Sequence, residues 1–315
     1  MIGEAELESA RAAELPRLPA HQRRVHAPYY VLSALKEFQS WDLETEDGAR
    51  LYTALDPDVQ SAMTETVAKI LPAVEKKAKA RVRQSPSQPL QTAAITVDLL
   101  TAEILGLVGG RDFKTTQYNR ATDARRQIGS IVKPFVYWGA LKERSPLDPI
   151  VDEPFEWKSG KQTWRPKNYD NKYLGPIPLF FALAESRNVP AAKIGQEIGL
   201  NSVADTIRRT GIRAEVPELP SLTLGAFELS LAEVAQGFST LARFGRGDYL
   251  HQLIRVEDGA GNILFQPSAA KNLELDPAQT AVLVGMMRQA FEVGTAKAAR
   301  AWGTRRRVRG KNRNH

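Results

Sequence analysis

A serine followed three positions later by a lysine puts a hydroxyl and an amine one helical turn apart on one face. There the amine can take the hydroxyl proton and leave a strong nucleophile. The sequence holds three such pairs, Ser33/Lys36, Ser130/Lys133 and Ser268/Lys271, so spacing alone does not choose between them. Only Lys133 is followed by proline. Pro134 has no N–H for the Ser130 carbonyl, so the helix is expected to begin almost at the serine. At a helix N-terminus, free amides and partial positive charge favour a developing oxyanion and push a nearby amine toward its neutral, basic form. That is the equipment of an acyl-transfer site.

Ser186-Arg187-Asn188 lies further along, in a polar break between Leu183 and Val189. Its hydroxyl suits proton relay between an amine and a leaving group, and its amide suits hydrogen bonding to a peptide. The same triplet equally suits the capping of a turn.

Other chemistries find less support. The chain has no cysteine, which removes disulfides, thiolate nucleophiles and Cys-ligated metals. His21, His26, His251 and His315 show no metal-ligand spacing, so no metal and no cofactor is expected. The formal charge of +7 arises in the tail, where seven basic residues and no acid fall within 300–315; the rest carries 36 of each sign. A balanced body argues against a nucleic-acid footprint. No run of about 18 apolar residues reads as a membrane span.

Positioning such a site takes several elements. Residues 50–55 alternate like a strand, and Asp56-Pro57 supplies an N-cap for a helix whose apolar stripe is Val59, Ala62, Met63, Val67, Ile70, Leu71 and Val74. A polar loop over 84–91 leads to a hairpin of 93–97 and 104–108, closed by Gly109-Gly110. Helical patterns cover 128–142, 179–200, 224–244 and 277–293, with an irregular stretch around Trp157, Trp164, Pro166 and Tyr169. A second hairpin spans 253–265 across Asp258-Gly259. Residues 1–49 read as a connector packed on a neighbour, with Pro16, Pro19, Pro28 and a short helical pattern after Tyr29-Tyr30. Strands at both ends bracketing helices give an α+β sandwich.

The order Ser-x-x-Lys, Ser-x-Asn and then a lysine-led strand is the signature of penicillin-binding proteins and serine β-lactamases. Longer blocks extend it: LYTALDPDVQ (51–60), GGRDF (109–113), YNRATDARRQIGSIVKPFVY (118–137), WRPKNYDNKYLG (164–175), ESRNVPA (185–191), SLTLGAFELS (221–230) and VGTAKA (293–298). Together they resemble the transpeptidase domain of bifunctional, class A penicillin-binding proteins over residues 50–311. The resemblance implies a sandwich of a mostly antiparallel sheet and helices. It also implies a reaction in which Ser130 attacks the bond between two terminal D-alanines of a peptidoglycan stem peptide, with Lys133 as base and Ser186 and Asn188 in relay and substrate contact. β-Lactams would acylate Ser130 as substrate mimics.

The third motif departs from the family. Lys311 matches its lysine, a contact for the substrate carboxylate, but Asn312 and Arg313 stand where threonine and glycine are expected. The strands and terminal helix of the family are missing after His315, so the chain is expected to be truncated at both ends and to turn over little. One extra A after a lysine codon turns AAA-ACC-GGA-ACC-ACC into AAA-AAC-CGG-AAC-CAC, which spells the Lys-Asn-Arg-Asn-His found at 311–315. A frameshift is thus one expectation for the tail 312–315. The rivals are a non-catalytic penicilloyl sensor or wall-peptide scaffold, and a β-lactamase-like hydrolase, for which no deacylating base is identifiable. In family terms a membrane anchor and a glycosyltransferase domain would precede residue 1, placing the domain on the outer face of the cytoplasmic membrane.

Overall fold

The computed structural model describes residues 27–41, 43, 48–79, 89–160, 162–267 and 275–302. The Ser268/Lys271 pair, Lys311, the tail 312–315 and most of the polar loop 84–91 lie outside them.

Two cores organise the chain. The first is built around the helix that follows Ser130, here α3 (Lys133–Ala140), of which every residue is buried. Around it stand α4 (Leu179–Ala184), α5 (Asn188–Ile198), α6 (Leu200–Arg209) and α8 (Pro277–Glu292). The indole N–H of Trp138 on α3 donates to Thr280 Oγ1 on α8 at 3.0 Å, which satisfies the polar atom of a fully buried side chain.

The second core lies between α1 (Pro28–Gln39) and the strands β3 (Ile104–Val108) and β10 (Leu253–Asp258). The connector helix α1 is fastened here: Tyr30 donates to the Ile104 carbonyl at 2.8 Å, and Gln252 donates to the Tyr30 carbonyl at 3.0 Å. Lys36 of the Ser33/Lys36 pair lies on its outer face, ion-paired to Asp123 at 3.0 Å.

Among the described residues every strand ladder is antiparallel, with a single isolated parallel bridge between Glu103 and His251. β1 (Ala49–Thr53), β10 and β11 (Ile263–Phe265) form one sheet, and β2 (Ala94–Val97) pairs with β3 in another. The expected hairpins and the mixed α+β class are present. The turn between β10 and β11 is longer than Asp258-Gly259: Asp258 accepts from the Asn262 amide at 2.8 Å, and Gly261 takes the left-handed conformation at φ +92°.

α2 (Pro57–Lys79) begins at its expected cap, with Asp56 Oδ1 accepting the amides of Asp58 and Val59 at 2.9 and 3.0 Å. Its buried face is narrower than the apolar pattern, because Ile70 and Val74 remain 52% and 45% exposed. A glutamine takes the centre: the buried Gln60 amide donates to the Leu107 carbonyl and accepts the Leu107 amide, closing the outer edge of β3 as a strand would. Gly106 admits this close approach, since a Cβ there would lie 2.7 Å from Met63 Sδ.

Other boundaries differ for local reasons. The region around Trp157 and Trp164 is a short hairpin, β6 (Trp157–Ser159) and β7 (Gln162–Trp164), with the two indoles paired across it. The pattern over 224–244 begins at the end of a 3-10 turn (Pro220–Leu224) and contains the short strand β9 (Glu228–Leu229) and then α7 (Leu231–Ala242). α7 starts at a capping box in which Ser230 and Glu233 satisfy each other's backbone amides.

Candidate active site

Ser130 lies exposed in a 3-10 turn (Gly129–Val132) that runs directly into α3. The Lys133 amide donates to the Ser130 carbonyl, a tight i to i+3 bond that serves the carbonyl Pro134 cannot reach. The 3-10 geometry also eclipses positions three apart, so Ser130 and Lys133 leave the turn on one side.

A backbone clamp fixes the approach to the serine. β4 (Arg126–Gln127) pairs with β9, and the Ile128 and Gly129 amides donate to the carbonyls of Phe227 and Gly225 at 3.2 and 3.1 Å. Gly129 and Gly225 both have positive φ, +55° and +73°, and a Cβ on Gly225 would sit 2.1 Å from the Gly129 oxygen. Gly225 was missed as a site residue; the signal was a glycine inside an otherwise helical pattern.

Ser186 and Asn188 come from the turn between α4 and α5. Periodicity predicted one helix over 179–200, but Ser186 adopts φ +52° and breaks it. A left-handed serine costs on the order of 1–3 kcal/mol, and such strain concentrates at functional sites. Gly294 and Thr295 of the VGTAKA block buttress the turn, the Thr295 amide donating to the Ala184 carbonyl at 3.1 Å.

The turn delivers its polar atoms to Lys133. The amine, on a residue only 1% exposed, donates to the Ser186 carbonyl at 2.5 Å, to Ser186 Oγ at 3.0 Å and to Asn188 Oδ1 at 2.8 Å. Burial, and after it the positive charge of Arg187, lower its pKa from 10.5 to about 7. The helix N-terminus is therefore not the main cause of the shift. Among the described residues no hydrogen bond joins Lys133 to Ser130 Oγ; contacts of this kind often close only when substrate binds. Thus Lys133, Ser186 and Asn188 are brought into contact, with Ser130 one 3-10 turn before Lys133, while Lys311 lies outside the described residues.

A cavity of about 510 Å³ opens between the segment 91–93, just before β2, and the β4–β9 pair, walled by Ala93, Arg120, Arg126, Ile128, Ile131 and Leu229, with Ile128 and Ile131 on either side of the Ser130 turn. The other edge of β2 has no strand partner among the described residues.

The sequence model for the penicillin-binding protein transpeptidase domain matches residues 92–312, which include every residue of this cluster. The chain belongs to that family. It is 34% identical over 268 residues to penicillin-binding protein 1B of Vibrio cholerae, covering 84% of this chain and 34% of that protein. Penicillin-binding protein 1B of Escherichia coli is likewise 34% identical, over 260 residues that make up 79% of this chain and 30% of the relative. The chain is thus a class A transpeptidase domain spanning about a third of the length of these relatives. Two solved structures share its fold. Penicillin-binding protein 1A of Haemophilus influenzae has a TM-score of 0.68 at 16% identity, covering 93% of this chain and 62% of that one. PonA1 of Mycobacterium tuberculosis has a TM-score of 0.66 at 19% identity, covering 84% and 70%. Among the described residues, no helix is long and apolar enough to cross a membrane.

Proposed function

We propose that this domain performs the acylation chemistry of a peptidoglycan D,D-transpeptidase. Ser130 attacks the carbonyl of the penultimate D-alanine, the terminal D-alanine leaves with a proton, and an ester to Ser130 remains for the amine of a second stem peptide. Lys133 takes the Ser130 proton, Ser186 relays it to the leaving nitrogen, and Asn188 holds the peptide. The observation that carries this reading is the Lys133 amine, buried against Ser186 and Asn188 with a pKa near 7 and one 3-10 turn from an exposed serine. A base with a pKa near the working pH combines a substantial neutral fraction with proton affinity.

We further propose that residues 50–311 are the catalytic unit, and that the segment before them connects to a glycosyltransferase domain and membrane anchor on the outer face of the cytoplasmic membrane. Lys311 would meet the substrate carboxylate. With Asn312 and Arg313 in place of threonine and glycine, that grip is weak and turnover is impaired. The same departure favours a second reading, a penicilloyl sensor that acylates without transferring.

A fluorescent penicillin tests both. The expected result is slow labelling that disappears in Ser130→Ala and quickens by about 10² when Asn312→Thr and Arg313→Gly restore the motif. Rapid stoichiometric labelling of the unaltered chain overturns the impairment. Label that survives Ser130→Ala overturns the nucleophile. Labelling without release of D-alanine from a peptide substrate marks the sensor.

A further inference from the structure

Arg187, the middle residue of Ser186-Arg187-Asn188, is 2% exposed, and each nitrogen of its guanidinium donates a hydrogen bond. Nε donates to Asp152 Oδ2 at 2.9 Å, Nη1 to Asp170 Oδ2 at 3.0 Å, and Nη2 to the Lys172 carbonyl. Asp152, on β5 (Pro149–Asp152), has no exposed surface. Its other oxygen accepts from Asn168 Nδ2 at 2.7 Å. Asn168 then turns its carbonyl oxygen to the first amides of α5, Asn188 at 2.9 Å and Val189 at 3.2 Å.

Arg187 occupies the N-cap of α5, where a side-chain acceptor is normally found, yet a guanidinium accepts nothing. Asn168 supplies the missing acceptor from a loop held to Arg187 through Asp152. A buried ion pair is a poor choice for stability alone, since an apolar pair of similar size often serves as well or better.

We propose that Arg187 is a positioning residue of this site: clamped by Asp152 and Asp170, it sets the turn that brings Ser186 and Asn188 to Lys133 and keeps a fixed positive charge beside that amine. The inference rests on Lys133 as the general base. The charged and titratable residues of the elements that meet at this turn are Glu185 and Arg187 on the turn itself, Asp152 on β5, and Lys167, Asp170 and Lys172 in the loop before β8 (Gly175–Pro178). Arg187 is the one whose charge acts on Lys133 to favour its neutral form.

The test uses the full chain with ε-13C lysine, the Lys133 signal being identified by its loss in Lys133→Arg. Two readouts are the titration midpoint of that signal and the hydrogen-exchange rates of the Asn188 and Val189 amides. In the double variant Arg187→Met/Asp152→Asn, which removes both buried charges, the midpoint should rise by about one unit and exchange should quicken about tenfold. Arg187→Lys keeps the charge but not the fork, so exchange should quicken with the midpoint nearly unmoved. A folded double variant with wild-type midpoint and exchange overturns the proposal. If the double variant does not fold, wild-type exchange in Arg187→Lys overturns it. A wild-type midpoint near 10.5 instead removes Lys133 as the base, and the exchange rates still judge the clamp.

Discussion

Asn188 accepts a hydrogen bond from Lys133 Nζ at 2.8 Å, while its own amide nitrogen donates to the Lys167 carbonyl at 2.8 Å. One end of the amide needs an acceptor and the other a donor, so the group can face only one way. Asn188→Asp removes the donor and sets a negative charge against the amine. An opposite charge favours the protonated form, so the Lys133 midpoint should rise from about 7 by about 1–3 units. The neutral fraction at pH 7 then falls about fivefold or more. The ε-13C titration of Lys133 measures this, and an unchanged or lowered midpoint contradicts it.

Lys133 should also leave a mark on stability. Its pKa is 10.5 as a free side chain and about 7 in the folded chain. Between those values the unfolded chain binds the proton and the folded chain does not. Stability therefore rises with pH across that window, by roughly 1 kcal/mol per unit from this residue; below about pH 7 its burial opposes folding in full. Lys133→Met removes the effect. In urea unfolding at several pH values, the stability of the wild type relative to this variant should climb from pH 7 to 10; a flat difference counts against the depressed pKa.

The backbone at Ser186 separates strain from chemistry. Ser186→Ala and Ser186→Gly both delete the hydroxyl, but only glycine adopts φ +52° without penalty. The glycine variant should be the more stable of the two by about 1 kcal/mol, and both should lose penicillin labelling. Equal melting temperatures would mean that the turn is not strained.

At Gly225 strain and crowding add. An alanine there meets both an unfavourable φ of +73° and the Gly129 backbone oxygen at 2.1 Å. Gly225→Ala should cost about 3 kcal/mol and displace the Ser130 turn. Denaturant unfolding together with the rate of Ser130 labelling checks it, and a stable variant that labels normally would show that the clamp yields.

What could be read from the residues themselves was what depends on near neighbours. Asp56-Pro57, the two hairpins and the Pro134 rule all act within a few positions, and each is found near where the pattern put it, although the turn of the second hairpin extends to Gly261. The polar break that holds Ser186 was legible between Leu183 and Val189, but its backbone was not, because a single left-handed residue leaves no compositional trace. The capping box of Ser230 and Glu233 was written in the sequence but masked by apolar residues that start at Leu224. Arg187 was the hardest to anticipate. Its partners Asp152, Asp170 and Lys172 lie 15 to 35 positions away, and nothing in a Ser-x-Asn triplet tells whether its middle residue faces solvent or a buried carboxylate.

The three contacts of the Lys133 amine bear on the order of events at Ser130. A protonated amine has three N–H bonds and no lone pair, and here it has three acceptors, the Ser186 carbonyl, Ser186 Oγ and Asn188 Oδ1. In that state it is saturated and has nothing to offer a hydroxyl proton. Losing one proton forces one acceptor to be released and exposes a lone pair. Of the three, only Ser186 Oγ can reverse its role, turning its hydrogen toward the nitrogen. With Lys133 as the base proposed above, deprotonation would unlock the site as well as arm it, and the proton that leaves the amine would also be the pin that holds it shut.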